Sequence, residues 1–207
     1  MFDLYLVTDD DLTLGRPLED VISQAVEGGV TMVQLREKNM TTRQFIEWAL
    51  RGKANLKKKQ IPLIINDRVD VALAVGADGV HLGQSDMPYH YARKILPKEA
   101  LIGLSVETME QAREAELLDV DYLGVSPVFS TPTKTDVNTE WGLEGLKKLR
   151  EMSRHKLVAI GSIKAHNAAA IIQAGADGIA VVSGICSAPD PRNAALEFID
   201  IVKKYKS

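Results

Sequence analysis

Short, uninterrupted hydrophobic segments alternate along the chain with longer segments in which hydrophobic residues recur every three or four positions. The short segments lie at 4–7, 31–35, 62–65, 79–82, 101–104, 122–125, 157–160 and 178–182. Continuous rather than alternating hydrophobicity is expected of a strand that is covered on both faces, as the strands of parallel sheets are. The short segments therefore predict eight strands of a parallel sheet.

The longer segments between them have the pattern of amphipathic helices, and several carry recognisable start and stop signals. A helix that begins near Leu18 is expected to end at Gly28, because glycine commonly follows the last turn of a helix. Thr41 and Gln44 have the spacing of a capping box, which predicts a helix start. Asp190 followed by Pro191 predicts the start of the last helix.

Eight strand–helix units that begin with a strand and end with a helix are the inventory of a closed (β/α)₈ TIM barrel. We therefore expect a single TIM-barrel domain over residues 1–207, near the lower size limit of about 200 residues for this fold. A weak internal repeat supports it, because Asp78-Gly79 and Asp177-Gly178 occupy similar turns before even-numbered strands. An open, doubly wound sheet is the alternative.

Composition narrows the class of protein and of partner. The chain has 207 residues, 45% of them hydrophobic and 26% charged, with a net charge of −3. Such a small net charge predicts neither a nucleic acid nor an anionic membrane as partner. The N-terminus resembles no signal peptide, and no apolar run approaches the roughly 18 residues of a membrane span. With Cys186 as the single cysteine, a cytoplasmic location is expected.

Polar residues follow the second predicted strand at alternating positions. Gln34, Arg36 and Lys38 would face one side of an extended segment, which brings two cations and an amide together. Because the active sites of TIM barrels lie on the loops after the strands, this arrangement predicts a site for a phosphate or pyrophosphate. A solvated run of charges is the alternative.

Two aspartates follow the third and fourth strands. Asp67 and Asp86 are expected to face the same cavity, where two carboxylates would repel each other unless a cation lay between them. Hard oxygen ligands with few other protein donors suit Mg²⁺ that is shared with substrate phosphates. The alternative is that each aspartate only caps a following helix.

The remaining strand ends add further candidates for anion binding. A long connection after strand six, 126–142, carries Lys134 and several hydroxyl groups. The turns at Gly161 and Ser162 and at Val182 and Ser183 follow strands seven and eight, where TIM barrels recurrently bind phosphate. Ser105, after strand five, suits a helix cap as well as a substrate contact. His81, inside strand four, is expected to belong to the core.

Four segments in combination resemble the thiamine phosphate synthase family. They are Gln34 to Lys38, Ile65 to Asp70, His81 to Asp86, and Thr131 to Lys134. The resemblance covers nearly the whole chain. It implies an enzyme, a transferase that joins hydroxymethylpyrimidine pyrophosphate to thiazole phosphate, or its carboxylated form, and releases pyrophosphate.

The resemblance also implies roles for individual residues. The pyrimidine pyrophosphate would contact Gln34, Leu35, Arg36, Glu37, Lys38, Asn66, Ser105 and Lys134. The thiazole phosphate would contact Thr131, Pro132, Thr133, Gly161, Ser162, Val182 and Ser183. Asp67 and Asp86 would hold Mg²⁺. The residues expected to assist catalysis directly are Arg36, Lys38, Ser105 and Lys134, whose charges or hydroxyl would stabilise the departing pyrophosphate.

One residue departs from the family pattern, and three alternative functions remain open. The family usually has two glycines where this chain has Gly161 and Ser162, so the thiazole phosphate contact could differ. A paralogous thiazole tautomerase would have no use for Asp67, Asp86 and Lys134. A non-catalytic barrel that binds a phosphorylated ligand would likewise need no metal pair, and a sugar phosphate isomerase or epimerase would need an acid–base pair. The sequence leaves open whether the chain forms a homo-oligomer.

Overall fold

The strands of the structure are β1 (Leu4–Val7), β2 (Met32–Leu35), β3 (Leu63–Asn66), β4 (Gly79–Leu82), β5 (Leu101–Val106), β6 (Tyr122–Val125), β7 (Lys156–Ala159) and β8 (Gly178–Val181). This is a computed structural model, which describes residues 1–130 and 140–206. Neighbouring strands pair in parallel and in chain order, and β8 pairs back with β1. The closed barrel confirms the predicted fold and excludes the open sheet.

The helices are α1 (Leu18–Glu27), α2 (Thr42–Lys58), α3 (Val69–Val75), α4 (Tyr89–Ile95), α5 (Met109–Ala115), α6 (Gly142–Met152), α7 (Ala165–Gln173), α8 (Ser183–Cys186) and α9 (Pro191–Tyr205). The predicted signals work as expected: α1 ends before Gly28, and the Thr41 capping box begins α2. Asp190 caps α9 by accepting a hydrogen bond from the Asn193 amide at 2.9 Å. In the described part of the chain, no helix is both long and apolar enough to cross a membrane.

The hydrophobic residues form an outer and an inner cluster. The outer cluster fills the space between strands and helices, and it contains Trp48 on α2 and Phe198 on α9. The inner cluster fills the barrel itself with Tyr5, Val7, Met32, Ile64, Tyr122, Val158 and Ala180. Because side chains alternate along a strand, every strand contributes to one or both layers. The inner cluster forms the floor of the functional end.

A side-chain hydrogen bond recurs four times at the opposite end of the barrel. The residue before an even-numbered strand accepts a hydrogen bond from the amide of the first or second residue of the odd-numbered strand that precedes it. Thr31 Oγ1 accepts from Leu4 N at 3.0 Å, and Asp78 accepts from Leu63 N at 2.8 Å. The corresponding acceptors for β5 and β7 are Asp121, from Ile102 N at 2.7 Å, and Asp177, from Leu157 N at 2.9 Å. The weak sequence repeat thus reflects a repeated structural device.

Candidate active site

The carboxyl ends of the strands surround a cavity of about 970 Å³. Most residues predicted from the strand ends line it. Those residues are Gln34, Arg36, Lys38, Asn66, Asp67, Asp86, Ser105, Gly161, Ser162, Val182 and Ser183. The topology explains this convergence, because parallel strands of a closed barrel all end on one rim.

Six predicted contact residues either do not line the cavity or lie outside the described residues. The Leu35 side chain is fully buried in the outer core, and Glu37 is not among the residues that line the cavity. Contacts of these two residues with the pyrimidine pyrophosphate stay predictions. Burial, followed by the carboxylates of Asp9, Asp10 and Asp11, raises the pKa of Glu37. The last four, Thr131, Pro132, Thr133 and Lys134, lie outside the described residues.

Asp67 and Asp86 form a carboxylate pair at the ends of β3 and β4. Burial, together with the hydrogen bond to Asp86 and its charge, raises the pKa of Asp67 to about 6, while Arg36 and Lys38 act in the opposite direction. The backbone of Asp67 has a left-handed φ of 61°, a conformation that is uncommon outside glycine. Asp86 Oδ2 accepts a hydrogen bond from Gly83 N at 2.7 Å.

The helix-cap alternative does not apply to either aspartate or to Ser105. Arg68 occupies the N-cap position of α3, and Pro88 occupies that of α4. The helix after β5 is capped by Thr108, whose side chain accepts from Gln111 N at 3.2 Å. Capping therefore does not account for the positions of the two carboxylates or the hydroxyl on the rim.

Arg36 is anchored from the neighbouring strand β1. Its Nη1 lies 3.9 Å from Asp9 Oδ2, and its amide donates to Thr8 Oγ1 at 3.1 Å. Only 26% of the Arg36 side chain is exposed, and only 16% of the Asp9 side chain. Asp9, the first residue of an acidic run, thus positions a cation at the cavity.

A chain of hydrogen bonds crosses the cavity floor and ends at Ser105. Gln34 Nε2 donates to Tyr5 Oη at 2.9 Å, and Tyr5 Oη lies 2.9 Å from Tyr122 Oη. His81 Nδ1 lies 3.0 Å from Tyr122 Oη, and His81 Nε2 lies 2.9 Å from Ser105 Oγ. The expectation that His81 belongs to the core is wrong, because it borders the cavity.

Gln34 Nε2 is an N–H donor, and one consistent direction of the chain starts from it. In that arrangement Tyr5 Oη donates to Tyr122 Oη, and Tyr122 Oη donates to His81 Nδ1. Burial raises the pKa of both tyrosines, so both keep their protons. The same arrangement makes His81 the neutral tautomer with its proton on Nε2, which donates to Ser105 Oγ. The Ser105 hydroxyl then has its own proton to donate into the cavity.

Two glycines on adjacent strands make room for these rings inside the barrel. A Cβ atom on Gly103 would lie 2.1 Å from the Tyr122 ring, and a Cβ on Gly124 would lie 2.8 Å from the His81 ring. Any larger residue would displace a ring because interiors are close-packed. Glycine in β5 and β6 is therefore the sequence signal for the network. Tyr5, His81 and Tyr122 themselves lie in apolar segments, where nothing in the sequence marks them as functional.

The loops after β7 and β8 meet at the wall of the cavity that lies opposite the carboxylate pair. Ser162 has a left-handed φ of 48°, and its hydroxyl donates to the Ser130 carbonyl in the loop after β6. Asn167 Nδ2 donates to the Ser162 carbonyl at 3.0 Å, which holds the turn. The side chain that departs from the family pattern is thus directed at a neighbouring loop.

Comparisons with known proteins agree on one family. Residues 4–185 match the family model of thiamine monophosphate synthase. The chain is 57% identical to a thiamine-phosphate synthase of Albidiferax ferrireducens, over 96% of this chain and 91% of that protein. It is 52% identical to that of Vibrio campbellii, with 96% of each covered.

Solved structures give the same result. A thiamine phosphate pyrophosphorylase from Pyrococcus furiosus superposes with a TM-score of 0.92 and 40% identity, over 100% of this chain and 98% of that one. A 3-hexulose-6-phosphate synthase has a TM-score of 0.72 at 17% identity, over 96% of this chain and 99% of that one, which shows only a shared fold. The chain belongs to the thiamine monophosphate synthase family.

Proposed function

We propose that this chain uses the cavity to join 4-amino-5-hydroxymethyl-2-methylpyrimidine pyrophosphate to thiazole phosphate, or to its carboxylated form, with release of pyrophosphate. The enzyme is a transferase of thiamine biosynthesis. The observation that carries the assignment of residues is the arrangement of Asp67, Asp86, Arg36 and Lys38 on one side of the cavity. A departing pyrophosphate needs such a concentration of compensating charge.

The carboxylate pair fits a magnesium ion. Burial, and the hydrogen bond and charge of Asp86, disfavour ionisation of Asp67 and raise its pKa. A divalent cation between the two carboxylates would remove that cost of ionisation. Among residues 1–130 and 140–206 no group of three metal-ligating side chains occurs, so two aspartates would be completed by phosphate oxygens and water. When bound, Mg²⁺ would neutralise negative charge on the pyrophosphate.

The residues of this chain divide the remaining work. Arg36 and Lys38 would bind the pyrophosphate oxygens and stabilise the charge that develops as the bond to the pyrimidine methylene carbon breaks. Gln34, Asn66 and Ser105 would hold the pyrimidine pyrophosphate in the cavity. The turns at Gly161 and Ser162 and at Val182 and Ser183 would hold the thiazole phosphate, so that the thiazole nitrogen is aligned for attack on that carbon. Roles for Lys134 and for Thr131 to Thr133 stay predictions.

We infer that the hydrogen-bond chain on the cavity floor orients the Ser105 hydroxyl. The conservative variant Tyr122→Phe tests this role. We expect Tyr122→Phe to lower kcat/KM for the pyrimidine pyrophosphate about tenfold, because one buried partner of His81 is lost. The KM for thiazole phosphate is expected to stay unchanged. Steady-state kinetics with each substrate varied in turn provides the measurement. Tyr91→Phe, at an exposed tyrosine on α4, is the matched control, and equal losses in both variants would contradict the role.

The proposed reaction is tested by reconstitution from purified components. Protein, Mg²⁺, pyrimidine pyrophosphate and thiazole phosphate are mixed, and thiamine phosphate is converted to fluorescent thiochrome. We expect product only when all components are present, and none after addition of EDTA. Folded protein that yields no product would exclude the proposed reaction and favour a tautomerase or a ligand-binding barrel. Product that survives EDTA would contradict the magnesium site alone.

Three broader expectations remain proposals. We expect residues 1–207 to form a single catalytic domain, since the eight strands of one barrel span the chain. A cytoplasmic location is expected from the single cysteine, Cys186, which is free and buried. Association of the chain with copies of itself stays an open prediction.

A further inference from the structure

Lys164 places a cation between the loops that follow β7 and β8. Its Nζ donates to Ser183 Oγ at 3.0 Å, and both residues line the cavity. Its backbone is fixed as well, because Lys164 N donates to Asn167 Oδ1 at 2.8 Å while Asn167 also holds the Ser162 carbonyl. The ammonium group is therefore held at a defined position by two loops.

No carboxylate neutralises this ammonium group within the described ranges 1–130 and 140–206. Arg36 and Lys156 differ from it in this respect, because Arg36 Nη1 lies 3.9 Å from Asp9 Oδ2 and Lys156 Nζ lies 2.8 Å from Asp177 Oδ1. An ammonium group has three donors, and the described structure assigns one of them to Ser183. A partly buried cation with further donors in a cavity wall is suited to an anionic ligand.

The two charged sides of the cavity differ in kind. On the β2–β4 side, Arg36 and Lys38 face the carboxylates of Asp67 and Asp86, so an anion there benefits from a divalent cation. In a closed eight-stranded barrel β7 lies opposite β3, and on that side the lining contributes Lys164 with hydroxyl and backbone groups. An anion bound there needs no metal.

We propose that Lys164 is a specificity-determining residue that binds the phosphate of the second substrate directly, so that this substrate binds without a divalent cation. The inference rests on the proposed function. It is supported by Ser162, whose hydroxyl is already given to the Ser130 carbonyl and so leaves charge recognition to the lysine. Ser183 is a positioning residue in this arrangement, because it orients the ammonium group.

Binding in the absence of metal tests the inference separately from turnover. Thiazole phosphate is titrated calorimetrically in EDTA into the unmodified protein, Lys164→Gln, Lys164→Arg and a control, Lys203→Gln, on the exposed end of α9. We expect Kd to rise about 10- to 100-fold in Lys164→Gln, as loss of one charge-assisted hydrogen bond does, and by only a few-fold in Lys164→Arg. The control is expected to match the unmodified protein.

Kinetics supplies the second readout. In Lys164→Gln the KM for thiazole phosphate should rise in parallel with Kd, while kcat and the KM for pyrimidine pyrophosphate stay within about threefold, the pattern of lost uniform binding. An unchanged Kd, or a rise confined to the pyrimidine substrate, overturns the inference. If the unmodified protein makes no thiamine phosphate at all, the proposed function fails instead. Should Lys164→Gln not fold, as judged by circular dichroism, Lys164→Met replaces it with the same expectations.

Discussion

Asp67→Asn is expected to abolish the synthase activity and to make the metal-free protein more resistant to heat. The activity should fall by roughly a thousandfold, because the amide removes one of the two proposed anionic ligands for Mg²⁺ at the departing pyrophosphate. The loss should persist at raised Mg²⁺ concentration if the carboxylate also places the ion. The thiochrome assay over a range of Mg²⁺ concentrations provides the measurement.

The gain in stability follows from the sign of the pKa shift. The pKa of Asp67 is raised from 3.8 to about 6, so between these pH values the folded protein binds more protons than the unfolded chain. The free energy of unfolding therefore falls as pH rises through this window. At pH 8 Asp67 is ionised, and its charge destabilises the folded protein to the full extent. Asparagine carries no charge and tolerates the left-handed φ of 61°. After allowance for solvent screening, we expect a gain of about 1 kcal/mol.

Thermal unfolding in EDTA measures this effect. At pH 8 the Tm of Asp67→Asn should exceed that of the unmodified protein by about 2–4 °C, and the difference should vanish towards pH 4. Asp70→Asn is the matched control, because that carboxylate is exposed and pairs with Arg68 at 2.5 Å. An equal or lower Tm for Asp67→Asn at pH 8 would show that the carboxylate pair carries no electrostatic cost.

Arg36→Met is expected to lower kcat/KM for the pyrimidine pyrophosphate by about 10²- to 10³-fold, the range seen when one preorganised donor to a developing charge is removed. Most of the loss should appear in kcat, because the guanidinium is needed most as negative charge develops on the leaving group. Arg36→Lys keeps the charge but cannot form bidentate hydrogen bonds, so its loss of kcat/KM should be intermediate.

The matched control for this series is Arg51→Met. Arg51 is 61% exposed on α2 and lies 3.7 Å from Glu19, so its loss should leave the kinetics unchanged. Steady-state kinetics with the pyrimidine pyrophosphate varied at saturating thiazole phosphate separates the two parameters. A change in KM alone for Arg36→Met would mean that Arg36 binds the ground state and gives no special stabilisation to the departing pyrophosphate.

The strands could be predicted because a strand that is buried on both faces forms a short, continuous hydrophobic segment in the sequence. All eight predicted strands occur, and their ends differ from the observed ones by at most two residues. Asp67 and Asp86 could be paired from sequence because parallel strands place consecutive strand ends on one rim. The same reasoning found the loops at Ser162 and Ser183.

What could not be predicted lies mostly inside the barrel. In a fully buried strand, the inward and outward faces have the same hydrophobic character, so Tyr5, His81 and Tyr122 could not be told from outer core residues. Only the packing of Gly103 and Gly124 against the rings separates them. Lys164 could not be predicted as a binding residue because a single lysine at the start of a helix carries no signal for a binding site. The Asp9 contact with Arg36 joins residues from different strand ends, which no local pattern reveals.

The four hydrogen bonds at the end of the barrel away from the cavity each tie one odd-numbered strand to the strand that follows it. The barrel can therefore be divided into four consecutive modules of two strands. Arg36 and Lys38 belong to the first module, both aspartates of the carboxylate pair to the second, and Ser105 to the third. Lys164 and the two loops that flank it belong to the fourth. Evolution could thus alter recognition of the second substrate within one module and leave the pyrophosphate machinery of the others intact.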